Sequence, residues 1–227
     1  GGDFMNDTWE LYNTDEDFSE VHDLASLYPQ KLQEMIDLWF FEAGKYNVLP
    51  LDDRQAARFQ PTPITGVFAY YPGSEKIVEP ELPDTLNHSY KITAYVDIPE
   101  AGAEGVLFSI GGRFGGLSLF VMDGHLVCDY NFVGIRHYTV SSTFEVPAGR
   151  SALSMAFDLT GSHRGVSTLY IDGEDVSSAE VVIQPYRYSF EEGLEIGKDP
   201  QTPVSESYKS PFVFTGTLEK VVMEVEG

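Results

Sequence analysis

The hydrophobic period changes once along this chain, and the change divides it. Over residues 29–46 the apolar side chains Leu32, Met35, Ile36, Trp39, Ala43 and Tyr46 recur at intervals of three and four, the stripe of one amphipathic helix. Pro29 suits its first turn because proline has a fixed φ and no N–H to satisfy, while Gly44 and Asn47 mark its fraying end. From residue 64 onward the period is two. Ile92, Ala94, Val96 and Ile98 alternate with Lys91, Thr93, Tyr95 and Asp97, and Leu153, Met155, Phe157 and Leu159 alternate with Ala152, Ser154, Ala156 and Asp158. Asp123-Gly124 and Asp172-Gly173 are hairpin turns of the kind that needs positive φ at both positions. Strands this numerous, with no second helical pattern among them, must pack sheet on sheet. Residues 64–227 are therefore expected to be a two-layer antiparallel jelly-roll sandwich.

Ahead of the helix, Trp9-Glu10-Leu11-Tyr12 reads as a short strand and residues 13–17 as a polar turn. One strand and one helix cannot close a core, so the stripe is expected to rest on something further. Residues 50–63, with prolines at both ends, read as a connector. The chain opens Gly1-Gly2 without an initiator Met, as expected of a piece trimmed from a longer protein, and its compartment stays open.

Charge narrows the partners. Fourteen basic residues stand against 36 acidic ones, a net charge of −22, and residues 1–60 hold 4 of the basic and 13 of the acidic. The acidity is thus spread along the chain. Such a surface repels phosphate backbones and anionic lipid heads, so no nucleic acid and no membrane is expected as a partner. Cys128 is alone, which excludes an intrachain disulfide. It shares a strand face with Leu126, Tyr130 and Phe132 and is expected to be a buried thiol.

The order Trp9-x-Leu11-Tyr12-Asn13, then Asp17-x-x-Glu20-x-x-Asp23-Leu24, then a long helix, resembles the C-terminal end of type I arylsulfatases, with Phe18 where their turn often has proline. Residues 46–54 resemble the junction to an appended domain in bacterial members. The runs Phe120–Val127, Tyr130–Phe132, Leu169–Gly173 and Phe214–Val221 are similar to laminin-G/concanavalin-like sandwiches. The resemblance implies that residues 1–49 are a sulfatase tail and 64–227 an accessory domain. It also implies a missing N-terminal catalytic domain as partner, holding a formylglycine and a divalent cation, usually calcium. Those groups have no counterpart here. Cys128 is followed by Asp129-Tyr130-Asn131-Phe132, without the proline and arginine of the formylglycine motif, so neither cofactor nor hydrolysis is expected of this chain. The implied role is structural, packing on the catalytic domain or forming a homo-oligomer. The alternative is a glycan-binding module that delivers sulfated carbohydrate.

Few clusters carry chemistry. The five histidines lack any metal-ligand spacing. Asn13-x-Asp15-x-Asp17 starts like a calcium loop, but Phe18 and Leu24 stand where glycine and the bidentate glutamate belong, so it reads as a capped turn. Asp52, Asp53 and Arg54 form a candidate interdomain clamp, or lie against the cleft of the missing domain. Tyr186-Arg187-Tyr188-Ser189-Phe190 reads as a strand with three aromatics on one face, either core or glycan contact; Tyr70-Tyr71 adds two more rings. Gly111-Gly112-Arg113-Phe114-Gly115-Gly116 precedes a strand, which excludes a dinucleotide fingerprint, and reads as a flexible hairpin with Arg113 and Phe114 at an exposed tip.

Overall fold

The computed structural model describes residues 7–46, 48, 51, 64–73, 76–78, 81–185, 187–189 and 192–227. The chain divides into two compact units, Gly1–Pro61 and Thr62–Gly227. Asp52, Asp53 and Arg54, with the rest of the connector apart from Leu51, lie outside the described residues.

In the first unit, helix α1 spans Pro29–Lys45 with proline in its first turn, as the pattern predicts. Its covered face is Leu32, Ile36, Trp39, Phe40 and Ala43. Met35 and Tyr46, expected on that stripe, are exposed. Phe40 takes part because Trp9 packs on Trp39 and Phe40 together, with ring centroids 5.6 and 6.4 Å away. The segment around Trp9–Tyr12 is not a strand. Among the described residues no strand lies beside it, and the turn supplies backbone partners: Leu24 N–H donates to Leu11 O at 2.7 Å, and Leu11 N–H to Asp23 Oδ1 at 2.9 Å. Asp17 does cap the polar turn, accepting from Val21 N and His22 N at 2.9 and 2.7 Å. These bonds, the one from His22 N foremost, hold its carboxyl below the usual range.

In the second unit, eleven strands among the described residues form two antiparallel sheets. They are β1 (Gly66–Tyr70), β2 (Tyr90–Ile98), β3 (Gly105–Gly112), β4 (Gly115–Met122), β5 (His125–Phe132), β6 (Arg136–Glu145), β7 (Gly149–Gly161), β8 (Arg164–Ile171), β9 (Glu174–Val181), β10 (Leu194–Ile196) and β11 (Thr217–Val225). One sheet runs β1-β11-β2-β7-β8-β9, the other β10-β3-β4-β5-β6. The alternations read from sequence for β2, β5 and β7 supply inner-face residues, and Phe108, Leu117 and Leu119 of β3 and β4 join them. Ile92, Ala94, Val96, Leu153, Met155 and Phe157 from the first sheet meet Phe108, Leu117, Leu119, Leu126, Cys128 and Tyr130 from the second. Burial pushes the Cys128 thiol up to about 12, so it stays protonated and inert.

Both Asp-Gly turns form, with φ of 49° and 76° at Asp123-Gly124 and 52° and 86° at Asp172-Gly173. The outer face of the second sheet is also covered. Val106, Phe120 and Val127 there pack under Tyr208, beside Met122 and Phe212. This double burial explains why β3 and β4 are apolar or small at every position rather than at every second one, and why β5 keeps even Asp129 and Asn131 buried.

Candidate functional site

Strand direction sorts the turns into two ends. At one lie the β3–β4, β5–β6 and β7–β8 turns and the segment after β9; at the other lie residues 99–104, 123–124, 146–148 and 172–173. Residues 64–227 contain five arginines, and four of them, Arg113, Arg136, Arg164 and Arg187, belong to the first end. The opposite turns carry Glu100, Glu104, Asp123 and Asp172. Glu192 also belongs to the first end and Arg150 to the second, so the basic residues are concentrated at the first end without its being free of acids.

The β3–β4 turn presents Arg113 and Phe114, and its glycines have steric reasons. A Cβ on Gly111, whose φ is 76°, would strike Gly115 O, and one on Gly112 would strike the Glu192 carboxylate. The turn is pinned rather than flexible. Arg113 N–H donates to Thr202 Oγ1 and Phe114 N–H to Ser189 Oγ, both at 2.9 Å. Asn131 secures the rest. Only 1% exposed, it donates from Nδ2 to the carbonyls of Gly112, Arg113 and Val204 at 3.2, 3.0 and 3.0 Å. Its Oδ1 accepts from Gly134 N–H of the neighbouring β5–β6 turn at 2.8 Å. With these contacts made, Phe114 is left 67% exposed.

Residues 187–189 close on the same turn. Ser189 N–H donates to Gly115 O at 2.8 Å, and Arg187 O lies 3.0 Å from where a Gly115 Cβ would be. The strand expected for Tyr186–Phe190 is not formed over these described residues, because their backbone bonds to the glycine turn and not to a sheet edge. Tyr188 turns inward and is only 6% exposed. Its hydroxyl is 2.6 Å from Thr85 Oγ1 and 3.4 Å from Tyr130 Oη, while Gln184 Nε2 donates to Tyr130 Oη at 2.9 Å. Burial, chiefly, holds the Tyr188 and Tyr130 phenols well above their ordinary range, so they stay neutral. Tyr188 is thus an anchor beneath the site, not a contact on it.

Of the candidate contacts, Arg113, Phe114 and Arg187 are brought to one surface from positions some 75 residues apart. Tyr186 lies outside the described residues, as does Phe190. Sequence reading missed Asn131, Val133, Ile135 and Arg136. The only signal was their place beside the turn after Phe132, which reveals neither what an amide side chain will bond nor which hairpins will adjoin. Chemically, guanidiniums hold planar oxyanions by paired N–H donors, and an exposed ring stacks on the apolar face of a sugar. Among the described residues, no group of three or more His, Cys, Asp or Glu side chains converges to hold a metal ion. His137 bonds the buried Asp129 at 3.0 Å as an isolated pair.

No family model and no curated protein matches the sequence. Several solved structures are similar. The carbohydrate-binding module CBM40 of the Ruminococcus gnavus IT-sialidase, bound to α2,6-sialyllactose, matches with TM-score 0.49 and 14% identity over 73% of this chain and 91% of that one. Domains LG4-5 of the mouse laminin α1 chain match with TM-score 0.43 and 12% identity over 72% and 40%. The leech intramolecular trans-sialidase matches with TM-score 0.44 and 14% identity over 72% and 25%.

Proposed function

We propose that residues 64–227 are a glycan-binding module that takes an anionic sugar at the arginine-bearing end. The observation that carries this reading is the meeting of the Arg113-Phe114 turn with Arg187, joined through Ser189 and Gly115. An exposed ring on a turn that carries one arginine and adjoins a segment carrying another suits a sulfate or carboxylate on a pyranose. The acidic remainder opposes non-specific adsorption to anionic polymers, which leaves selectivity to the short-range contacts.

The test uses the full chain, titrated calorimetrically with sulfated, carboxylated and neutral oligosaccharides. Arg113→Ala and Arg187→Ala are each expected to weaken binding of the anionic sugars by about tenfold, the loss of one charge-assisted pair. Neutral sugars should be unaffected. Absence of anionic-sugar binding, or binding indifferent to both substitutions, overturns the reading.

A second reading is favoured by one observation in the first unit. Met35, Leu38 and Phe41, spaced three residues apart on α1, are all exposed. Such a face suits a tail that closes on a further domain, and the resemblance to arylsulfatase tails is what nominates a sulfatase for it. In this reading the sandwich is a structural accessory, and fusion to such a domain raises the melting temperature while glycan binding is absent.

A further inference from the structure

The β5–β6 turn is strained in a way that the other hairpins of the chain avoid. Val133 has φ 47°, and it is the only β-branched residue at positive φ among those described. The other non-glycine residues there are Glu20, Asn87, Asp123, His163 and Asp172. A β-branched side chain in this region crowds its own backbone, whereas aspartate or asparagine is tolerated. The same chain uses Asp-Gly at both of its other positive-φ pairs in hairpins, so the unstrained solution is within its repertoire.

What valine presents there is apolar surface in company. Ile135, two residues on, is 80% exposed, and Val133 itself is 36% exposed. Asn131 ties this turn to Phe114's turn, since it bonds Gly134 N–H on one side and Arg113 O on the other. Arg113 precedes Phe114, and Arg136, whose guanidinium lies over the Tyr138 ring at 6.0 Å, follows Ile135, so each turn carries a cationic residue next to an apolar one in sequence. Strain retained at an exposed position, next to groups with a proposed role, is the pattern of a contact residue.

We infer that Val133, Ile135 and Phe114 form an apolar wall of the site. The anionic sugar taken there then bears a methyl group beside its charge, either on an acetamido or as a 6-deoxy substituent. This rests on the glycan-binding reading and names its ligand class.

The experiment titrates the full chain with two matched pairs. N-acetylgalactosamine 3-sulfate is compared with galactose 3-sulfate, and L-fucose 4-sulfate with L-galactose 4-sulfate. The methyl-bearing member of one pair is expected to bind about fivefold more tightly, the gain from burying one methyl, and the pair that discriminates identifies the source of the methyl. Val133→Asn relieves the strain and is expected to raise the melting temperature by about 3 °C while abolishing that preference. Ile135→Ser, at a site too exposed to unfold the domain, abolishes it as well. Equal binding within both pairs, or a preference that survives both substitutions, overturns the inference and leaves the glycan reading standing. If no sulfated sugar binds at all, the inference falls, and the glycan reading falls with it only when carboxylated sugars fail to bind as well.

Discussion

Asp199 shows how a single buried side chain sets a pH dependence. It is 2% exposed, and its carboxylate accepts from Tyr208 Oη and Val204 N–H on the segment that covers the second sheet. Burial raises its pKa above the ordinary 3.8, with Glu192 and Glu195 adding to the rise and the two hydrogen bonds opposing it. A carboxyl whose folded pKa lies above its unfolded one resists ionisation in the native state. Stability therefore falls as pH rises from the unfolded value through the folded one. Asp199→Asn keeps an acceptor for both donors without the charge. The urea midpoints of the two proteins are expected to differ least at acid pH, where Asp199 is protonated, and to separate as pH rises, with the variant becoming the more stable. A midpoint difference independent of pH would contradict this account. None of it is legible in the run Lys198-Asp199-Pro200, where an acidic residue beside proline reads as a solvated turn.

Individual elements differ in how much of themselves they specify. Helix α1 was readable because its period and proline act locally, but which of its faces is covered was not. Trp9, twenty residues before the helix begins, brings Phe40 into the covered face, while Met35 stays exposed. A 17-residue helix is marginal alone and depends on such packing. Trp39→Ala removes ring contacts to Trp9 and Phe40 at 5.6 and 4.9 Å and is expected to cost roughly 2 kcal/mol. The check is a loss of helical ellipticity and of near-ultraviolet tryptophan signal on mild heating. Unchanged melting of both signals would show that the ring pair does not hold the helix. The strands show the opposite balance: alternation predicted β2 and β7 along their lengths, yet the Tyr186–Phe190 reading failed over its described residues. There the aromatic spacing of two was real, but the Ser189 backbone bonded a glycine turn instead of a strand.

For the whole molecule, the ends of the sandwich are interdependent. The C-terminal strand β11 lies between β1 and β2, and Val221, Met223 and Val225 enter the core from it. Deleting residues 217–227 removes those side chains and the backbone partners of two strands. The truncated chain is expected to lose cooperative melting and to bind a hydrophobic dye; a truncated chain that still melts cooperatively would show that β11 is dispensable. The sequence by itself determined the fold class, the position of the helix, both Asp-Gly hairpins and the burial of Cys128. These follow from period, from turn chemistry and from a residue's strand face, all read within a few positions along the chain. Only the tertiary structure decided that Arg113, Phe114 and Arg187 share one surface, that Tyr188 is its buried anchor, and that Asn131 and Val133 shape it. Each of those facts depends on which turns the two sheets bring side by side, and on bonds between residues far apart in sequence. Local pattern carries no term for either.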